Sequence, residues 1–235
     1  MMPQIHSTAS PTDSHLFMPL EWLTRILLRR ATLLLTGAQA EFSRWPEARP
    51  SVYFANHCSH ADFVLVWAAL PKLVRDLTRP VAGADYWNGD PIRRYIGQKV
   101  VRAVLIERDP DARSEDPIAQ MAQVLSGGES LILFPEGTRN LSEAPLLPLK
   151  SGLFHLAKHC PAVPLIPVWI DNLHRVLPKG EFIPVPLLCK LRFGAALGVG
   201  ASETKGEFLS RAGQALLALR PRRGITAANE LSAKI

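Results

Sequence analysis

After Pro50, segments typical of strands alternate with segments typical of helices, and this alternation is the feature that most constrains the fold. Runs of β-branched and aromatic residues predict strands at 51–56, 100–107, 130–134, 163–170 and 188–195. Apolar residues at helical spacing predict helices at 62–70, 114–125, 152–159 and 205–220. Such alternation is typical of an α/β fold with a mostly parallel central sheet flanked by helices. Because Pro164 and Pro167 lie within one predicted strand, we expect it at an edge or a bulge.

Residues 16–40 precede this region and also have a helical period. Glu21, Arg25 and Arg29 recur every four residues, whereas positions 17, 20, 23, 27, 31 and 34 are apolar. The pattern predicts an amphipathic helix with a basic polar face. Such a helix either packs on the core of its own domain or lies in the interface of a membrane.

Composition divides the chain into four parts. We predict a disordered N-terminus at 1–15, an amphipathic helical segment at 16–45, which lies at a membrane interface if the second of these alternatives holds, a main domain at 46–220 and a basic flexible tail at 221–235. The net charge of +6 permits contact with phosphates or anionic lipid without selecting between them. The longest stretch without polar side chains, 161–170, is far shorter than the roughly 20 residues of a membrane-spanning helix.

Several classes of site and partner are disfavoured by what the sequence contains. Three widely spaced cysteines do not form a disulfide framework or a four-cysteine zinc site. His155 and His159 have the spacing of a zinc protease helix but lack its glutamate, and His57 with His60 lacks a further ligand cluster. We therefore expect no metal. The sequence has no nucleotide-binding glycine motif, no nucleic-acid motif and no signal peptide, so we expect no nucleic-acid partner and a cytosolic origin.

The segment 56–62, Asn-His-Cys-Ser-His-Ala-Asp, joins a predicted strand to a predicted helix. Histidine is the side chain best suited to proton transfer near neutral pH. Asp62 lies close enough in sequence to reach back to one ring nitrogen of His57, fix its tautomer and stabilise its protonated form. Asp62 or Ser59 could instead serve only as a helix cap.

The segment 134–140, Phe-Pro-Glu-Gly-Thr-Arg-Asn, ends another predicted strand in a turn. Its Glu136, Thr138 and Arg139 offer a carboxylate, a hydroxyl and a guanidinium, and Gly137 permits a bend or the close approach of a ligand. Arg108 also lies at the end of a strand, so the two guanidinium groups could share one anionic ligand. The alternatives are an ion pair between Glu136 and Arg139, and a surface ion pair between Arg108 and a neighbouring acid.

Together these segments resemble the PlsC-type glycerolipid acyltransferases, the lysophosphatidate acyltransferase family. The matching blocks are Asn-His-x4-Asp at 56–62, Arg108, Phe-Pro-Glu-Gly-Thr-Arg at 134–139 and Val-Pro-Leu-Ile-Pro-Val at 163–168. The resemblance covers about residues 51–195, and the order and spacing of the four blocks make it specific. One departure is Arg102-Ala103, near which the family often has a glycine; this could alter the acceptor pocket.

The resemblance implies transfer of a fatty acyl group from acyl-CoA or acyl-carrier protein to the sn-2 hydroxyl of lysophosphatidate, giving phosphatidate, with no cofactor besides the acyl donor. It implies His57 and Asp62 as catalytic residues. It places the acceptor at Arg108, Glu136, Gly137, Thr138 and Arg139. Because these lipids reside in bilayers, it also implies a peripheral or monotopic protein at the cytoplasmic face of the cell membrane, anchored by the helix at 16–40.

Three other functions are compatible with parts of the pattern. The acceptor could be another lysolipid, such as a lyso-ornithine lipid or a lysophospholipid. The chain could be a non-catalytic module that binds anionic lipid, although a binding module needs no general base. A nucleic-acid-binding protein is suggested only by the basic sequence, with an isoelectric point near 9.5.

Overall fold

The computed structural model describes residues 14–109, 111–171 and 189–221. The predicted basic tail thus lies almost wholly outside the described residues, as does the predicted disordered N-terminus. The helices are α1 (Ser14–Thr36), α2 (Asp62–Ala69), α3 (Lys72–Asp76), α4 (Ala84–Trp87), α5 (Pro91–Arg94), α6 (Pro117–Ser126), α7 (Gly152–His159) and α8 (Lys205–Ala218). The strands are β1 (Gln39–Phe42), β2 (Val52–Ala55), β3 (Thr78–Gly83), β4 (Val104–Ile106), β5 (Ser130–Leu133), β6 (Leu165–Asp171) and β7 (Lys190–Phe193). A π-helical turn, Tyr95–Val100, follows α5.

The strands form one sheet in the order β1-β7-β6-β2-β5-β3-β4. Neighbouring strands are parallel except β6 and β7, which run antiparallel. The expected α/β architecture with a mostly parallel sheet is confirmed. Because β2 lies at the centre, the loop after its carboxyl end meets the loops after β5 and β3 at one edge of the sheet.

The side chains of β2 alternate between two hydrophobic clusters, one on each face of the sheet. Tyr53 packs in the cluster on the α2 side, and Val52 and Phe54 pack in the cluster that contains residues of α6, α7 and α8. All four residues of β2 are fully buried. Burial of both faces explains why this strand has an uninterrupted apolar sequence and fixes the position of the loop that follows it.

The structure corrects several predicted boundaries. Helix α1 ends at Thr36, and Gln39–Phe42 is a strand rather than the end of that helix. The strand predicted at 100–107 begins only at Val104, because Val100 completes the π-helical turn. Helix α6 begins at Pro117, since the carboxylate of Asp116 accepts the N–H of Ile118 as an N-cap.

Strand β6 is an interior strand, so of the two expected places for its prolines, an edge or a bulge, the edge is wrong. Pro164 lies just before the strand, where its carbonyl accepts the N–H of Val52. Pro167 lies one residue before the β6–β7 ladder begins at Val168, and its carbonyl accepts the N–H of Gly194. The missing N–H of Pro167 therefore faces Gly194, just beyond the end of β7, and the ladder from Val168 to Asp171 is not interrupted.

Helix α1 has the predicted amphipathic pattern, and Arg25 and Arg29 face the domain, whereas Arg30 is exposed. Arg25 lies 3.9 Å from Asp76 and over the ring of Trp67, and Arg29 donates to the carbonyl of Ala68. The outward side carries large apolar residues that are about half exposed or more, namely Leu20, Trp22, Leu23, Leu27, Leu34 and Leu35. Leu28 and Leu33 of the same helix pack on core clusters, so α1 carries apolar residues both toward the domain and toward solvent. None of the described helices has both the length and the hydropathy needed to cross a bilayer.

Candidate active site

The loop 56–62 leaves the carboxyl end of β2 and is fixed to the neighbouring strand by Asn56. The Asn56 side chain accepts the N–H of Ile170 at 2.7 Å and donates to the carbonyl of the same residue at 3.1 Å. Both bonds are buried. Asn56 therefore closes the gap between β2 and β6 and holds the start of the loop in place.

His57 and Asp62 are in direct contact, with 2.8 Å between Nδ1 of the histidine and Oδ2 of the aspartate. The same oxygen accepts the backbone N–H groups of Cys58 and Ser59 at 2.7 and 2.8 Å. Asp62 is fully buried and is the first residue of α2, whose N-cap, Ala61, makes no side-chain capping bond. Asp62 thus organises the loop around His57 instead of only capping the helix. Donation from Nδ1 leaves the lone pair of the neutral ring on Nε2.

Three further contacts hold His57. Its ring stacks on Phe134, with 4.3 Å between the ring centroids. Its N–H donates to Oε1 of Glu136 at 2.7 Å, and its carbonyl accepts the N–H of Asn140 at 2.7 Å. The segments 56–62 and 134–140, which the sequence analysis singled out separately, therefore form one unit.

Glu136 lies behind His57, not in the position expected of a substrate contact. Its side chain is buried, and its second oxygen accepts the N–H of Leu147 at 2.8 Å. Both oxygens accept backbone N–H groups, so Glu136 does not form the ion pair with Arg139 that was the alternative from the sequence. Burial raises the pKa of Glu136, while the two backbone hydrogen bonds act in the opposite direction. Glu136 connects the histidine loop to the segment that leads to α7.

A groove of about 880 Å³ opens beside His57. Its apolar walls come from β3, β4, β5, α6 and α7, and include Val81, Ile106, Met121, Leu133 and Leu153. Its polar lining includes His57, His60, Asp85, Arg93, Arg108, Arg113, Thr138, Arg139 and Lys150. The groove can accept a molecule with an apolar chain and an anionic group, and His57 is part of its lining.

The structure brings the other expected substrate-binding residues to this groove. Gly137, Thr138 and Arg139 line it, and Gly137 has a φ of 72°, a conformation that favours glycine. Arg108 lines it as well, and its guanidinium lies 3.6 Å from Asp85. Arg108 thus pairs with a neighbouring acid, which was one of the two possibilities from the sequence. Its side chain is still more than half exposed and can contact a ligand in the groove.

A stack of three side chains lines the groove next to His57, and sequence reasoning missed it. The ring of His60 lies parallel to that of Tyr86 at 4.4 Å, and the Arg93 guanidinium lies 4.6 Å from the centre of the Tyr86 ring. Burial and the positive charges of Arg139, His57 and Arg93 lower the pKa of His60. No motif in the sequence connects Tyr86 or Arg93 with His60.

The metal-ligand candidates do not converge. In the described ranges, no three His, Cys, Asp or Glu side chains come together as ligands of one ion would. His155 and His159 lie on α7, outside the lining of the groove. Cys58 lies beside Asp62, and burial raises the pKa of its thiol, which favours the protonated form.

Comparison with known proteins is consistent with this geometry. The family model described as Acyltransferase matches residues 40–171. A 1-acyl-sn-glycerol-3-phosphate acyltransferase of Limnanthes alba is 33% identical over 151 residues, covering 60% of this chain and 48% of the relative. A protein of the same name from Haemophilus influenzae is 26% identical over 148 residues, covering 60% and 56%. A lyso-ornithine lipid O-acyltransferase of Rhizobium meliloti is 30% identical over 155 residues, covering 66% and 49%.

The chain spans about half the length of these curated relatives. Its fold is similar to the crystal structure of the 1-acyl-sn-glycerophosphate acyltransferase PlsC from Thermotoga maritima, with a TM-score of 0.64 and 19% identity. That match covers 87% of this chain and 81% of the other. The family model includes the histidine–aspartate loop, Arg108 and the segment 134–140, so the chain belongs to the PlsC-type acyltransferase family.

Proposed function

We propose that the protein transfers a fatty acyl group from the thioester of acyl-CoA or acyl-carrier protein to the sn-2 hydroxyl of lysophosphatidate, giving phosphatidate. The observation that carries this proposal is the buried Asp62 carboxylate bonded to Nδ1 of His57, at a groove with apolar walls and exposed arginines. The names of the relatives in Limnanthes and Haemophilus support the same acceptor.

The proposed reaction needs one general base and no enzyme nucleophile, because a thioester is already activated. Nε2 of His57 takes the proton of the acceptor hydroxyl as its oxygen attacks the thioester carbonyl. The negative charge of Asp62 stabilises the imidazolium. When the tetrahedral intermediate collapses, the carbon–sulfur bond breaks, and the leaving thiolate takes the proton from His57. The products are the ester and the free thiol.

The charges of the groove support binding of the acceptor by its phosphate. Arg139 and Arg108 present guanidinium groups, which bind phosphate through paired donors. Thr138 adds a hydroxyl, and the bend at Gly137 presents both residues to the groove. The apolar wall accepts an acyl chain, whose burial contributes about 0.8 kcal/mol per methylene.

We also propose that α1 attaches the protein to the cytoplasmic face of the cell membrane as a peripheral or monotopic anchor. Its outward apolar residues are about half exposed or more, and Leu34 is 82% exposed. Its inward arginines fix the helix to the domain, so that its apolar side is presented outward. Such a face inserts into the boundary between lipid head groups and acyl chains. This placement gives a lipid substrate a route to the groove.

A second candidate is a lysolipid whose head group contains an amine, such as a lyso-ornithine lipid. Two observations favour it: the carboxylate of Asp85 beside Arg108, and the Rhizobium meliloti relative, whose match covers 66% of this chain. The same histidine–aspartate pair would serve both acceptors. A non-catalytic lipid-binding module has no use for a buried carboxylate bonded to a histidine, and we do not favour it.

The experiment is an assay of the purified chain with acyl-CoA and with acyl-carrier protein as donors. Each donor is paired with lysophosphatidate, a lyso-ornithine lipid or a neutral monoacylglycerol. Thiol release measures the rate, and mass spectrometry identifies the lipid product. We expect thiol release coupled to phosphatidate formation and little product from the neutral acceptor. Absence of thiol release with every pair would refute the proposal.

A further inference from the structure

The groove lining is strongly cationic, but one carboxylate lies beside Arg108. Within the described part of the chain, the cationic side chains that line it are Arg93, Arg108, Arg113, Arg139 and Lys150. Asp85 is the one carboxylate in that lining. A carboxylate in this lining repels an anionic group of a ligand and attracts a cationic one.

The ion pair between Asp85 and Arg108 lies directly over bare backbone. A Cβ at Gly83 would be 2.4 Å from Oδ1 of Asp85 and 2.5 Å from Nε of Arg108. Gly83 ends β3, next to Ile106 at the end of β4. Any side chain at position 83 would therefore displace both charged groups, and only glycine permits the pair in this place.

The pair also lies in the lining of the groove, next in sequence to a side chain that contacts the catalytic loop. Asp85 precedes Tyr86 in α4, and the Tyr86 ring stacks on His60 of the catalytic loop. Both partners are more than half exposed, with 57% of the Asp85 side chain and 59% of the Arg108 side chain accessible. A ligand can thus reach the carboxylate and the guanidinium together.

We infer that Asp85 enables the groove to accept, besides lysophosphatidate, lysolipids whose head group carries a protonated amine beside its anionic group. The anion binds Arg108, and the ammonium takes the place of Arg108 as a partner of Asp85. A phosphate monoester satisfies Arg108 but brings its negative charge close to Asp85. An ornithine head group has both a carboxylate and an amine, which fits the pair. This inference rests on the proposed acyl transfer and concerns the choice between its two acceptors.

The test compares the full-length parent with Asp85→Asn, which keeps the size of the side chain and removes its charge. The kcat/KM values are measured for a lyso-ornithine lipid and for lysophosphatidate with the same donor. We expect the ratio of the first value to the second to fall by at least about fivefold in Asp85→Asn. The control is Glu47→Gln, which removes the charge of an exposed glutamate outside the groove lining and should leave the ratio unchanged.

The other outcomes would contradict either the inference alone or the proposed function as well. An unchanged ratio, or an equal loss with both acceptors, would overturn the inference, because Asp85 would then do no more than hold Arg108. Failure of the parent to acylate either lipid would refute the proposed function, and the inference would fall with it. The melting temperature of Asp85→Asn is expected to match that of the parent, since the exposed pair contributes little to stability.

Discussion

Replacing Asp62 with asparagine removes the negative charge beside His57 while changing few atoms. The amide oxygen can take the place of Oδ2, which accepts N–H donors from His57, Cys58 and Ser59. The amide nitrogen then takes the place of Oδ1, which lies 3.8 Å from Sγ of Cys58. The loop therefore keeps its hydrogen bonds, and the substitution isolates the contribution of the charge.

The expected loss follows from the contact between the two side chains. With 2.8 Å between Nδ1 and Oδ2, the centres of the imidazolium and carboxylate charges lie about 4 Å apart. At an effective dielectric constant of about 20, their attraction is about 4 kcal/mol. Each 1.4 kcal/mol or so changes a rate tenfold, so kcat should fall by about 10³. The KM of the acceptor should change little, because Asp62 is buried outside the groove lining.

Thiol release under steady-state conditions measures kcat and KM for Asp62→Asn, and circular dichroism checks that the variant is folded. Glu47→Gln is again the control: its glutamate pairs with Arg44 and Arg49 at the surface, and we expect activity like that of the parent. A folded Asp62→Asn variant whose kcat lies within about threefold of the parent would refute the proposed role of the carboxylate.

Three further predictions concern the groove, the support behind it and α1. Arg139→Gln should raise the acceptor KM by about tenfold or more, and it should raise the pKa of His60 because a nearby positive charge is lost. Glu136→Gln should lower the free energy of unfolding by about 1–3 kcal/mol, since one amide oxygen cannot accept both buried N–H groups, and it should also lower kcat. Leu23→Glu combined with Leu27→Glu should abolish sedimentation with liposomes and leave the melting temperature unchanged, because both leucines are exposed.

Each of these three variants is checked by its own measurement. NMR titration of the imidazole C–H signals in Arg139→Gln measures the pKa of His60. An unchanged pKa would contradict the predicted influence of Arg139 on that ring. Urea denaturation measures the stability of Glu136→Gln. Unchanged stability and kcat would contradict the role of Glu136 in holding the loop of His57 in place. Leu217→Glu on α8, on the other face of the sheet, is the control for liposome binding, and equal binding by all the leucine variants would exclude α1 as the anchor.

The lowered pKa of His60 also predicts a direction for the pH dependence of stability. Between this lowered pKa and the ordinary value of 6.5, the unfolded chain binds a proton at His60 more readily than the folded chain does. The contribution of His60 therefore favours folding above pH 6.5 and is lost as the pH falls through that window. His60→Asn should flatten this part of a plot of stability against pH.

Elements defined by local spacing could be predicted from the sequence. Helix 152–159 has the predicted bounds, because Leu153, Leu156 and Ala157 have the spacing of one buried face and Pro161 prevents continuation. The contact between Asp62 and His57 also follows from local geometry, since both residues belong to one strand–loop–helix connection. The arginine spacing of α1 was likewise visible in the sequence, although the direction in which its faces point was not.

Elements that depend on distant partners could not be predicted. Strand β3 was missed because Pro80 lies within it and reads as a break. In the structure β3 pairs with β5 through Pro80 and with β4 only from Val81 onward, so the proline falls where the strand changes partner. The orientation of Glu136 depends on the backbone of Leu147, and the partner of Arg108 lies more than twenty residues away at Asp85. No local pattern contains these pairings.

The central claim is that His57 removes the proton of the acceptor hydroxyl, and His57→Gln tests it most directly. The measurement is the single-turnover rate of acyl transfer to lysophosphatidate, with binding of the acceptor measured separately by calorimetry. The control is His159→Gln, an exposed histidine of α7 outside the groove lining. We predict that His57→Gln lowers the rate by about 10²–10⁴ while the acceptor still binds, and that the control transfers acyl groups like the parent. A folded His57→Gln protein that transfers acyl groups at the parental rate would contradict the account.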